Sequence, residues 1–204
     1  MIKLSAKDCE IKTERLVLRP HRISDLEALW PHVSDPELPK WMSWDAHKKK
    51  KGALDFIKSR IKARRNGDAF TWVILYEGKL CGCIGLDDVV GQVRVIRFDM
   101  ANLGYWLGKK YRRQGIMTEA ASAVLAFGFK KLKLHKITVD HAAANIASQK
   151  TIEKLGFRYI GEQQKHFFKR GRWHDHKIYE LLANDFKLKK RIALEITHIY
   201  DQST

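Results

Sequence analysis

The sequence predicts an α/β protein in which helices pack on a mixed sheet, and three observations carry that expectation. Short alternating or apolar segments bounded by turn residues recur along the chain, from "RLVLRP" to "HKITVDHA". Two helix-like segments fall between the last few of them, an order expected when strands and helices share one core. The 204 residues, 45% of them hydrophobic, suffice for a single domain with a sizeable interior.

The elements follow in order. Arg15 to Pro20 alternate in polarity and read as a strand. In "SDLEALW", Ser24 and Glu27 form a capping-box pattern that opens a helix. "DPELPKWMSW", Asp35 to Trp44, has two prolines and two tryptophans and predicts a loop with aromatic anchors. A basic helix is expected from about Ala46 to Arg65, with Leu54, Ile57 and Ile61 on one side and Asn66-Gly67 to stop it. "FTWVILYEGKLCGCIGLDD" reads as a hairpin turning at Glu77-Gly78-Lys79, and a further strand covers roughly Phe98 to Leu107.

The helix after Gly115 carries Ala121, Val124, Leu125 and Phe129 on one side. "HKITVDHA" is a buried strand, and "NIASQKTIEKLGF", Asn145 to Phe157, is a short helix closed by Gly156. Final strands are expected near Arg158 to Phe168 and His176 to Leu182. The organisation is thus a flexible N-terminus (1–10), a folded domain (11–186) and a basic extension (187–204) that adds a helix.

Composition bounds the partners. A net charge of +16 repels itself, so something anionic is expected: a phosphorylated cofactor, an acidic protein or nucleic acid. Charge alone does not choose among them. The three cysteines are no disulfide framework: Cys81 and Cys83 are two apart, and Cys9 is expected in a loose N-terminus. "MIKLSAKDCE" lacks the apolar run of a signal peptide, and no segment approaches the ~20 apolar residues of a membrane span. A reduced, cytoplasmic protein is the resulting expectation. Cys81-Gly82-Cys83 has no second ligand pair at zinc spacing and reads as core, and no metal is expected.

The stretch richest in chemistry is "LGYWLGKKYRRQGIMTEAASAVLAF", Leu103 to Phe127. Lys109, Lys110, Arg112 and Arg113 gather between a strand and a helix, just ahead of Gly115. A short loop ending in glycine turns successive N–H groups toward one point, and the helix N-terminus adds roughly half a positive charge. That is a pyrophosphate cradle built mainly of backbone, although a solvated basic turn would read the same way.

The loop Arg112-Arg113-Gln114-Gly115-Ile116-Met117, taken with "NIASQKTIEKLGF", resembles the GNAT superfamily of acetyl-coenzyme A-dependent N-acetyltransferases. The phosphate loop of that superfamily runs R/Q-x-x-G-x-G/A, from which Met117 departs at the last place. "TERLVLRP", "LGYWL" and "N-x-x-S-x-x-x-x-E-K-L-G-F" are similar to the Rim-type branch, which acetylates the N-termini of ribosomal proteins. The resemblance spans Thr13 to Phe186. It implies the GNAT fold, a twisted and mostly antiparallel sheet of about seven strands with helices on both faces and a splayed central strand pair.

It also implies roles. Arg112 to Thr118, including Gln114, Ile116 and Met117, would hold the phosphates; Tyr105, Trp106 and Leu107 would flank the pantetheine and thioester, with the Leu107 amide as donor to the thioester oxygen. Asn145 would hydrogen-bond the pantetheine as well as cap its helix. The tyrosine that many members use as an acid is replaced by Ile152, and Ser148 takes over as the group serving the departing thiolate.

The base is not evident. Asn102 stands where the branch often has a carboxylate before "GYW", and another carboxylate position falls near Phe167. Asp87 and Asp175 are weak candidates acting through water, while His174 and His176 are expected to be exposed. An α-amine of pKa near 8 is ~10% neutral at pH 7 and a lysine amine below ~0.1%, so a poorly equipped site favours an N-terminal amine. The expected activity is therefore transfer from acetyl-CoA to an acidic protein N-terminus or a small amine, by a monomer or homodimer that needs neither membrane nor nucleic acid. Antibiotic or polyamine acetylation and a nucleic-acid-binding module are the alternatives.

Overall fold

The structure, a computed structural model, describes residues 4–187. Eight strands form one sheet: β1 (Ile11–Lys12), β2 (Leu16–Pro20), β3 (Phe70–Tyr76), β4 (Lys79–Val93), β5 (Ile96–Leu107), β6 (Lys136–Ala142), β7 (Arg158–Lys169) and β8 (Arg172–Leu182). The helices are α1 (Leu26–Val33), α2 (Lys50–Asn66), α3 (Ile116–Ala126) and α4 (Ile146–Lys154). The strand order is β1-β2-β3-β4-β5-β6-β8-β7, and every neighbouring pair is antiparallel except β5 and β6.

That parallel pair defines the molecule. β5 and β6 are in register only at Met100–Lys136, Ala101–Ile137 and Asn102–Thr138, after which they diverge. Beyond that point β5 stays paired to β4, and β6 to β8. The sheet therefore splits down its middle.

Alternation along the strands builds a core on each face. Phe70, Trp72, Ile74, Leu103, Ile137 and Tyr179 pack with α3 and α4 on one side. Val73, Cys83 and Trp106 pack with Leu29 of α1 and Ile57 of α2 on the other.

Several expectations change in detail. Ser24 and Glu27 do not form the capping box; the Asp25 carboxylate accepts from the Arg22 N–H at 2.7 Å and from both Arg19 Nη atoms, while Glu27 pairs with Lys50. The segment around Cys9 is not loose: Cys9 is buried, and its carbonyl accepts from Trp72 Nε1. Cys81 and Cys83 are core residues, but of different cores, because a bulge opposite Ile74 and Leu75 flips the strand between them. β4 runs past Asp87 to Val93, so Asp87 lies inside a long hairpin rather than at a strand end. The helix expected in the tail lies outside the described residues.

His21 supplies a test of packing. Its ring is buried edge-on to Phe56, and neither nitrogen has a hydrogen-bond partner. Burial pushes its pKa down to about 4; Asp25 works against this, while Arg60 and Arg19 add to it. The unfolded chain, with an ordinary imidazole, then binds the extra proton first as pH falls. Stability should decline from about pH 6.5 toward pH 4, by roughly 3 kcal/mol at this one site. Urea melts at stepped pH should show that limb in the wild type and its flattening in His21→Leu.

Candidate active site

The loop after β5 is held from three sides. The Gly108 N–H donates to the Cys81 carbonyl at 2.8 Å, Lys109–Tyr111 form a single tight turn, and Arg112 Nε donates to the Leu107 carbonyl at 3.1 Å. Arg113 and Gly115 take left-handed backbone conformations, with φ of 64° and 76°. This double reversal feeds the chain straight into α3, whose N-terminus has no side-chain cap. The first-turn amides are thus left open toward one point. Ile116 and Met117 turn their side chains into the core, so they contribute backbone only, and half-buried Thr118 completes the turn.

The "TERL" segment fixes this loop, a role the sequence did not reveal. Glu119, in the first turn of α3, accepts from Thr13 Oγ1 at 2.6 Å, from the Arg15 N–H at 3.1 Å and from Arg15 Nε at 2.7 Å. Arg15 Nη1 also donates to the Gln114 carbonyl at 3.1 Å. A β-carbon added at Gly115 would lie 3.4 Å from Arg15 Nη2. The loop could hold a phosphate group, with Arg112 and Arg113 exposed at its rim.

The split in the sheet lies beside this loop. Gly108 and Cys81 form a hydrogen-bonded pair, so the neighbouring pair Leu107–Gly82 directs its N–H and C=O groups outward. The Leu107 amide therefore points away from β4 into the gap. Tyr105 and Leu107 pack on the α3–α4 face, where the Tyr105 hydroxyl lies 2.8 Å from Ser148 Oγ. Asn145 caps α4, its Oδ1 accepting from the Ser148 N–H at 3.3 Å. Burial pushes the Tyr105 phenol up to about 12, with the Ser148 bond opposing, so it keeps its proton at any working pH.

Other expected residues are not brought here. Trp106 faces the opposite core, its ring near His32, so its side chain is not beside Tyr105. Asp87 is engaged by Arg60 at 2.7 Å; burial raises its pKa, which Arg60 partly offsets. Asp175 is structural, its carboxylate accepting from the Lys165 N–H at 2.8 Å within a β7 irregularity. His174 Nε2 bonds the Lys169 carbonyl at 3.1 Å. His176 is not exposed as expected: its side chain is 19% accessible and its Nε2 lies 3.4 Å from Asp140 Oδ2.

The wall beside that histidine comes from two distant segments. Lys169 Nζ, at the tip of β7, donates to the carbonyls of Pro39, Met42 and Trp44 at 2.9, 2.6 and 2.6 Å. Arg170 reaches the Pro36 carbonyl, and Trp41 meets His174 edge-on. The 35–45 loop is strapped to the β7–β8 hairpin.

A glycine loop that could hold phosphates, beside a split sheet with an amide aimed into the split, fits a transferase for coenzyme A thioesters. Residues 15–158 match the family described as Acetyltransferase (GNAT) domain, and the chain belongs to that family of acetyl-CoA-dependent N-acetyltransferases. The Bacillus subtilis protein YdaF is 30% identical over 117 residues, 57% of this chain and 61% of YdaF, so the match spans about three fifths of that relative. The [ribosomal protein uS5]-alanine N-acetyltransferase of Escherichia coli is 28% identical over 89 residues, 44% of this chain and 46% of the relative. Among solved structures, RimL, a ribosomal L7/L12 alpha-N-protein acetyltransferase in complex with coenzyme A, shares the fold. Its TM-score is 0.78, with 18% identity over 85% of this chain and 97% of RimL. Among the described residues no helix is long and apolar enough to cross a membrane.

Proposed function

We propose that this protein transfers the acetyl group of acetyl-CoA to a protein N-terminal α-amine, by direct attack with both substrates bound. The observation that carries this reading is that β5 and β6 part after Asn102 and Thr138, between two differently equipped faces of the sheet. On one face lie the cradle, Asn145 and the Tyr105–Ser148 pair. On the other, α1 and α2 pack over β3 and β4, and half-buried Thr138, Asp140, His176 and Ile178 face that side, where the acceptor groove of this reading lies. An extended chain end fits a groove walled by a strapped loop.

The residues divide the work accordingly. The backbone from Arg112 to Thr118, with the two arginines, binds the phosphates; Tyr105, Leu107, Asn145 and the Trp106 backbone orient the pantetheine arm. The Leu107 N–H stabilises charge developing on the thioester oxygen. The Tyr105 hydroxyl donates to Ser148 Oγ, which leaves the serine proton free for the departing thiolate.

A panel of peptides with alanine or serine N-termini, lysine peptides with blocked N-termini, and polyamines tests the acceptor through acetyl-dependent thiol release. N-terminal peptides should turn over fastest, and preference for blocked lysine peptides or polyamines would overturn the assignment. The net charge of +16 adds an electrostatic expectation. Acidic peptides should lose apparent affinity severalfold as salt rises from ~0.15 M to ~0.5 M, where the Debye length falls below ~8 Å. A salt-independent KM would contradict an acidic acceptor.

A further inference from the structure

We propose that His176, held by Asp140, takes the proton from the attacking amine. The inference rests on the acetyl-transfer reading above and assigns the base that reading lacks.

Strand register places the pair. Ile137, Val139, Tyr179 and Leu181 point into the cofactor-side core, so Asp140 of β6 and His176 of β8 project from the opposite, groove-forming face. Asn102 is the last β5 residue in register with β6, and its Nδ2 donates to Asp140 Oδ1 at 3.1 Å. Asp140 thus bridges the two strands where they part. Its other oxygen, Oδ2, faces His176 Nε2 at 3.4 Å.

The ring is further fixed by stacking on His166, with centroids 5.0 Å apart and planes 7° from parallel, and by the edge of Phe167 at 5.4 Å. With Nε2 facing the carboxylate at 3.4 Å, the ring proton is favoured on Nε2 and the lone pair stands on Nδ1. Burial lowers the His176 pKa, Asp140 raises it, and His166 of β7 and His141 of β6 lower it again. The net direction is down, so the imidazole is neutral near pH 7 and able to accept.

The step balances. The amine nitrogen forms the C–N bond to the acetyl carbon and the C–S bond breaks. The amine proton passes to His176 Nδ1, and the thiolate on the far face takes one from the Ser148–Tyr105 pair. Acid and base thus act from opposite faces, and solvent resets both.

Three enzymes decide the matter: wild type, His176→Gln and Asp140→Asn. The probes are acetyl-CoA and a peptide with an N-terminal alanine, followed by thiol release across pH 5 to 9; coenzyme A binding and melting temperature report folding. In the wild type, kcat/KM should fall on the acid side in two steps, the first from protonation of the peptide α-amine at about pH 8 and the second, at lower pH, a histidine limb. His176→Gln should lower kcat by roughly 10²-fold at pH 7 and lose that limb, with coenzyme A binding unchanged. Asp140→Asn, a positioning change, should keep coenzyme A binding, lower kcat by about tenfold or more and displace the limb. A His176→Gln enzyme with wild-type rate and an unchanged acid limb overturns the assignment. If His176→Gln loses coenzyme A binding, Asp140→Asn decides: an unshifted limb there overturns the proposal. A wild type that binds coenzyme A but acetylates no amine refutes instead the acetyl-transfer reading on which it rests.

Discussion

Gly115→Glu should lose measurable coenzyme A binding, a fall in affinity of at least about 10³-fold, while the protein remains folded. Two effects combine. The residue sits at φ 76°, where any side chain costs roughly 1–2 kcal/mol. More important, the new side chain would start 3.4 Å from Arg15 Nη2 and bring a carboxylate beside the uncapped first turn of α3. It would occupy and neutralise the cradle together. Gly115→Ala separates the two effects, since it shares the backbone strain but not the charge, and should retain weakened binding. Calorimetric titration with coenzyme A reads both variants. Normal binding by the glutamate variant would remove the loop from the phosphate site.

Ser148→Ala should slow the chemical step by roughly 10²-fold or more and leave coenzyme A affinity nearly unchanged. The change removes one oxygen from the first turn of α4, where alanine is a good helix former. The Asn145 cap bond survives because it uses the Ser148 backbone N–H. Tyr105→Phe should slow the same step, since its hydroxyl is the 2.8 Å partner that orients the serine. Single-turnover thiol release separates this from binding. Wild-type rates in Ser148→Ala would make the hydroxyl structural. Restoring the wider superfamily's tyrosine at Ile152 should not rescue it. Ile152 is fully buried in the cofactor-side core, so a tyrosine there would overpack it, at about 1–3 kcal/mol.

Much of this was legible because local signals agreed with tertiary ones. Alternation gave the strands, Gly67 and Gly156 closed their helices, and the Gly115 loop stood out between a strand and a helix. Even the turning away of Trp106 was available, since a period of two sets Tyr105 and Leu107 against the residue between them.

What was not legible depends on residues far apart in the chain. Arg15 meets Glu119, and Asp140 meets His176, only once the sheet order brings β2 near α3 and β6 beside β8. No spacing announces such a meeting. The bulge at Cys81 is likewise a register event, and one extra residue there reverses which core each cysteine enters.

The strap across the groove bears on how this protein can change over generations. Each of the three N–H donors of Lys169 ends on a main-chain carbonyl, of Pro39, Met42 and Trp44. Every amino acid supplies such a carbonyl, so the fastening recognises where the loop runs and is indifferent to its sequence. Exposed side chains such as Lys40 and Ser43 can change without releasing this fastening, while buried Leu38 and Pro39 keep the loop anchored. One lysine, remote from the loop in sequence, thereby permits diversity in the segment that it holds.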